Sequence, residues 1–170
     1  MVSQLSLVFM VCSALLVFLF PLGLGIYLYR KERISLKAIL VGALTFIVFQ
    51  FITRIPLLSF LSTKPWFQEL MGNLLFSAVV VGGLSAGLFE EIGRYLAFRI
   101  PLKKDLSWKN GLAYGLGHGG IEAIWLVGIT YLNNIALSLM INAGTFEQFV
   151  GRELPERFDA GVCLPDMPVE

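Results

Sequence analysis

The sequence predicts an all-α membrane protein, a polytopic transmembrane helical bundle of about four spans with one further interfacial helix. Three observations carry this expectation. Of the 170 residues 56% are hydrophobic and 15% charged, with a mean hydropathy of +0.77, too apolar for a domain of this size in water. The apolar residues gather in runs long enough to cross a hydrocarbon core of about 30 Å. The basic residues fall in short loops between alternate runs, the arrangement that orients membrane helices.

Residues 5–29 carry no charge and are about twice as long as the apolar stretch of a cleavable signal, so they read as a retained span, with Pro21, Gly23 and Gly25 as a site of kinking. Arg30, Lys31, Arg33 and Lys37 then mark loop 30–37 as cytoplasmic. Residues 36–52 form a shorter second span in which Lys37 and Gln50 lie near enough to the ends to snorkel. Residues 54–68, with Arg54, Pro56, Pro65 and Trp66, read as the sparsely charged outer connection, with an interfacial turn at 57–61. Residues 70–98 are the third span. Arg99, Lys103, Lys104 and Lys109 against Asp105 make loop 99–110 the second cytoplasmic loop, which puts the N-terminus outside. The fourth span is 111–132, ended by Asn133 and Asn134 and followed by an apolar piece at 135–141. From Asn142 the sequence is polar and punctuated by proline. The expected division is a transmembrane domain, 1–141, and a polar tail, 142–170, in which no span can be drawn.

A net charge of +1 provides no field for a nucleic-acid partner and leaves the lipid bilayer as the main surroundings. Cys12 and Cys163 make neither a disulfide framework nor a zinc-binding spacing.

The third and fourth spans hold Glu90, Glu91, Arg94, His118 and Glu122. Each charge near the middle of a membrane helix costs roughly 2.5–3.5 kcal/mol on insertion scales, so such groups are expected to have partners and a task. Glu90 and Glu91 lie four and three residues before Arg94, so either can pair with it. Arg94 neutralises at most one, which leaves the other as a proton-transfer group. Tyr114, His118 and Glu122 repeat every fourth residue as one polar stripe, with Tyr114 read as packing. Beside it Gly111, Gly115, Gly119 and Ala123, together with Gly83 and Gly87 on the third span, make small-residue faces for close helix approach. Counting 1.5 Å per residue from the shared loop places the Glu pair about 12–14 Å deep and His118 about 12 Å deep, with Glu122 about 6 Å further in. A buried carboxylate beside a histidine can activate water while the imidazole steadies an oxyanion. His118 and Glu122, with Glu90, can alternatively hold a divalent metal. The spacing leaves both open, beside the plain alternative of an ion-pair clamp that fixes helix packing.

Glu90-Glu91-x-x-Arg94 on one span, followed on the next by Tyr114-x-x-x-His118-Gly119-Gly120-x-Glu122, resembles the YhfC family of intramembrane metalloproteases, related to the PrsW and CAAX-processing (CPBP) membrane proteases. The likeness covers about residues 5–157. It implies Glu90 as the water-activating base, Glu91 and Arg94 as its support, and His118 as the oxyanion or metal partner; Glu122 matches the glutamate that follows His-Gly-Gly. A divalent metal, zinc, is implied with it. Relatives continue into further spans, one bearing another histidine, whereas His118 is the single histidine of this chain. Glu156-Arg157-Phe158 resembles the opening of that later motif, so the chain is expected to be C-terminally truncated relative to the family.

The function so implied is an intramembrane protease of a bacterial cell membrane, hydrolysing a peptide bond of a membrane-protein or membrane-peptide substrate near the cytoplasmic face. The alternatives are a catalytically inactive scaffold or immunity-type protein of the same fold, with a partner chain completing the bundle, and a proton- or ion-translocating subunit using Glu90, Glu91, His118 and Glu122 as a relay.

Overall fold

The structure, a computed structural model, describes residues 1–146; the remainder of the expected tail, with Glu156-Arg157-Phe158, lies outside them. The described residues contain no strand. Four helical runs, Gln4–Glu32, Leu36–Leu61, Phe76–Arg99 and Trp108–Asn142, are long and apolar enough to cross a membrane. A short helix, Pro65–Met71, joins the second to the third. The all-α membrane architecture expected from composition is therefore the one observed.

Two compact units can be distinguished among the described residues, 15–129 and 1–14 with 130–146. In the smaller unit the Val2 N–H donates to Asn142 Oδ1 at 2.7 Å and Asn142 Nδ2 donates to the Val2 carbonyl at 3.0 Å. Asn142 thus grips the start of the chain.

Within the larger unit the second span is the most buried of the four. It begins after a tight turn: Arg33 takes a left-handed φ of 53°, Ile34 is buried, and the Ser35 hydroxyl accepts from the Ala38 N–H as an N-cap. Its first segment packs on the fourth span through two glycines. A Cβ on Gly42 would lie 2.1 Å from the Tyr114 carbonyl oxygen, and one on Gly117 would lie 1.9 Å from that of Ile39. Only hydrogen fits at either position, so the two backbones meet directly. Contact of this kind holds membrane helices together where lipid removes the hydrophobic driving force. The third span rests on the other side of the second, with Gly93 against Thr45 and Phe49.

This arrangement corrects the expected small-residue contact between spans three and four. A Cβ at Gly87, Gly111, Gly115 or Gly119 would meet no neighbour within 4 Å. Gly115 and Gly117 are two residues apart, hence about 200° around the helix, and the second span takes the Gly117 side.

The second span also runs further than expected. An α-helical start, Leu36–Phe46, passes into a π-helical stretch, Ile47–Arg54, and returns to α-helix at Ile55–Leu61. Pro56 was expected to lie in a connection, but it falls at the second position of the last segment, where the hydrogen-bond register has just changed and a missing donor costs little. Arg54 therefore belongs to the span. The fourth span is likewise unbroken through Asn133 and Asn134. The two basic loops lie at one end of the larger unit. Lys37 Nζ donates to the Pro101 carbonyl at 2.8 Å, and Lys109 Nζ donates to the Glu32 carbonyl at 2.9 Å while pairing with its carboxylate at 3.4 Å.

The glycine contact yields a test by thermal unfolding in detergent. Gly117→Ala is expected to cost about 1–3 kcal/mol or more through overpacking against backbone, whereas Gly115→Ala, which meets nothing, should be neutral or stabilising. Equal midpoints for the two variants would contradict the packing described.

Candidate functional site

Helical geometry sends the two adjacent glutamates to different places. Glu91 accepts from Arg94 Nη1 at 2.7 Å, one turn along the same helix, and both side chains are about half exposed or more, at 66% and 47%. They line a surface hollow with Tyr95, Phe98 and Arg99. Glu90, 100° around the helix, turns toward the second span, where its Oε1 accepts from Gln50 Nε2 at 2.8 Å.

Gln50 is 5% exposed, so it does not snorkel to an end of its span as expected. Its own Oε1 accepts from Arg54 Nη1 at 3.2 Å. Arg54 Nε donates to Ser85 Oγ at 3.0 Å, and Nη2 donates to the Val81 carbonyl at 2.7 Å and, at 3.5 Å, to that of Gly82. The reason lies in the third span, which is π-helical over Phe76–Leu84 and α-helical from Ser85. The Ser85 N–H reaches back five residues to the Val80 carbonyl. When four-residue pairing resumes, the Val81 carbonyl is passed over. Inside a membrane that oxygen needs a donor, and it has two, Arg54 and the Ser85 hydroxyl, the latter at 2.5 Å.

Glu90, Gln50 and Arg54 line a cleft of about 250 Å³, with Phe46, Gly82 and, from the fourth span, Glu122. Glu122 is half-buried, and its carboxylate makes no hydrogen bond with any described residue. The cleft has room for several waters. It brings together two carboxylates, one amide and one guanidinium at a level where all three inner spans meet.

His118 stands beside this cleft and does not line it. It is buried, its Nδ1 lies 3.5 Å from the Tyr114 hydroxyl, and its Nε2 has no hydrogen-bond partner among the described residues. The Phe46 ring meets it edge-on, with centroids 5.4 Å apart, and the same ring forms part of the cleft wall. Tyr114 packs on His118 and on Phe98, in keeping with a packing role.

Of the five residues singled out from sequence, the structure brings Glu90 and Glu122 to one cleft, holds His118 at its wall, and turns Glu91 and Arg94 to the outside. The three expected metal ligands are His118, Glu122 and Glu90. The orphaned Nε2 of His118 suits a ligand atom. Among the described residues, however, no group of three or more His, Cys, Asp or Glu side chains is placed to hold an ion. The set does not fit a metal in this arrangement.

Gln50, Arg54 and Ser85 were missed from sequence. The signal for Arg54 was an arginine within an apolar stretch that continues through Leu61, obscured by Pro56. Nothing local marked Gln50, whose role depends on contact with a helix forty residues away.

Four helices long and apolar enough to span a membrane, three of which line a cleft bearing two carboxylates, define an α-helical integral membrane protein with a polar site among its helices. Residues 16–162 match the family described as YhfC intramembrane metalloprotease, and the chain belongs to that family. It is 42% identical over 151 residues to the uncharacterized membrane protein YhfC of Bacillus subtilis (strain 168), an alignment covering 88% of this chain and 58% of the relative. The chain thus spans somewhat over half the length of that protein. No solved structure matches it.

Replacing Arg54 by Met keeps the apolar stem, strips the Val81 carbonyl of one donor and frees Gln50. Unfolding in detergent is expected to show a loss of about 1–3 kcal/mol, against a change within about 0.5 kcal/mol for Arg94→Met in its exposed pair. Equal losses would mean that Arg54 carries no structural load.

Proposed function

We propose that this protein is an intramembrane protease that hydrolyses a peptide bond of a membrane-protein or membrane-peptide substrate, with Glu90 as the base that activates water. The observation that carries this reading is the cleft in which Glu90 and Glu122 sit together and Gln50 occupies one oxygen of Glu90. With Oε1 held by Gln50, Oε2 takes a proton from water as the water oxygen bonds to the scissile carbonyl carbon. The tetrahedral oxyanion needs a donor. Arg54 has five N–H groups, four of them engaged, which leaves one on Nη1 for that charge. Glu90 then returns the proton to the leaving nitrogen as the C–N bond breaks, giving a carboxylic acid, which keeps the second proton of the water, and an amine.

His118 supports the site from the wall, and its free Nε2 is the second candidate for the oxyanion once Phe46 turns aside. Glu91 and Arg94 pair with each other at the surface, outside the cleft. The family's description implies a metal, and zinc on His118, Glu122 and Glu90 is the form that the residues suggested. Those donors are not assembled in one place among the described residues. By the positive-inside rule the end bearing both basic loops faces the cytoplasm. One observation favours a second reading, a scaffold of the protease fold without catalysis: the histidine and the two carboxylates do not share one cavity.

Two experiments bear on this. New protein termini mapped in membranes expressing the wild-type chain are expected to disappear with Glu90→Gln, a loss of about 10²–10⁴-fold for a general base, while the variant remains inserted. Termini that persist would remove Glu90 from the role, and a wild type that generates none would favour the scaffold. Elemental analysis of detergent-purified protein should show no fall in zinc on Glu122→Ala. Near-stoichiometric zinc lost in both His118→Ala and Glu122→Ala would establish a metal site and replace the glutamate-only step.

A further inference from the structure

Away from the cleft, a groove of about 570 Å³ runs between the first, second and fourth spans. Its walls are apolar, with Leu22, Ile26, Ile39 and Ile121 among them, and no Asp or Glu lines it. Its charged member is Arg30, in the last turn of the first span. The Arg30 side chain makes no hydrogen bond or ion pair with any described residue. The one acid beside it in the sequence is taken, since the Glu32 carboxylate pairs with Lys109 at 3.4 Å. The next cation, Lys31, donates to the Tyr27 hydroxyl at 2.8 Å. An apolar trough thus ends, at a helix terminus and hence at the membrane interface, on a cation with no counter-charge.

Charge decides among occupants: a single hydrocarbon chain lies along apolar walls, and an anionic head group on it meets the Arg30 guanidinium at the end of the groove. Basic pockets between membrane helices hold the phosphate of anionic lipids.

We propose that this groove is a binding site for an anionic phospholipid, with one acyl chain along the apolar walls and the phosphate on the Arg30 guanidinium. The site lies on the face of the fourth span that carries Gly117 and Ile121, and it does not depend on the proteolytic reading.

The test is native mass spectrometry of the full chain released from mild detergent, supplied with phosphatidylglycerol or phosphatidylcholine in equal amounts. One basic contact is expected to favour the anionic lipid about fivefold. Arg30→Gln should reduce that preference to about one, leaving phosphatidylcholine retention unchanged, and Arg33→Gln should leave the preference within about twofold. Ile26→Trp, at a position already facing lipid, should fill the groove and lower retention of both lipids; Leu22→Trp serves if that variant does not fold. Equal retention of the two lipids by the wild type, an undiminished preference in Arg30→Gln, or an equal loss in Arg33→Gln would overturn the proposal. So would displacement of the lipid by glycerol phosphate alone, or a lipid-free dimer as the retained species.

Discussion

A backbone carbonyl inside a bilayer must have a donor, and much of this structure follows from meeting that requirement at Val81. The oxygen is passed over where the third span changes from π- to α-helical pairing. Arg54 reaches it from the second span at 2.7 Å, with Ser85 as the second donor. A guanidinium carried into the membrane without a carboxylate is costly, and here its N–H groups are met by two carbonyls, a hydroxyl and an amide. That same amide holds Glu90. A structural need in one helix thereby fixes the orientation of a candidate catalytic group in another.

The second span can do this because it lies so close to its neighbours. The direct backbone contact at Gly42 and Gly117 fixes it against the fourth span, and Gly93 seats the third span on Thr45 and Phe49. From that central place Gln50 and Arg54 face the glutamates of both flanking helices across one cleft. The adjacent carboxylates divide accordingly. Glu91 spends its charge on Arg94 at the surface, and Glu90 keeps one oxygen for the cavity. A single step along a helix, 100° of rotation, is enough to separate a surface pair from an inner acid.

The four spans and the family were legible in the sequence, because membrane insertion imposes long apolar runs with charges between them, and because the Glu90-Glu91-x-x-Arg94 and Tyr114-x-x-x-His118 motifs lie on consecutive spans. The Glu91–Arg94 pair was legible too, being a contact within one turn of helix. What escaped was everything set by packing between helices. Gly117 looks no different in sequence from Gly115 or Gly119, yet only Gly117 touches a neighbour. Arg54 looked like a loop residue because Pro56 follows it, and the π-helical register that tolerates that proline has no signature in composition. The expected meeting of His118 with both glutamates was a statement about depth alone. Depth does not give rotation, and rotation puts the Phe46 ring against His118 at the wall of the cleft.

The claim on which the account rests is that Gln50 and Glu90 touch within the folded bundle. A double-mutant cycle measures that contact directly, from the unfolding free energies in detergent of Gln50→Leu, Glu90→Leu and the double variant against the wild type. The hydrogen bond described predicts a coupling of at least about 0.5 kcal/mol, the double variant losing less than the sum of the singles. Additivity within about 0.3 kcal/mol would contradict it, and with it the cleft as the place where the chemistry is assembled.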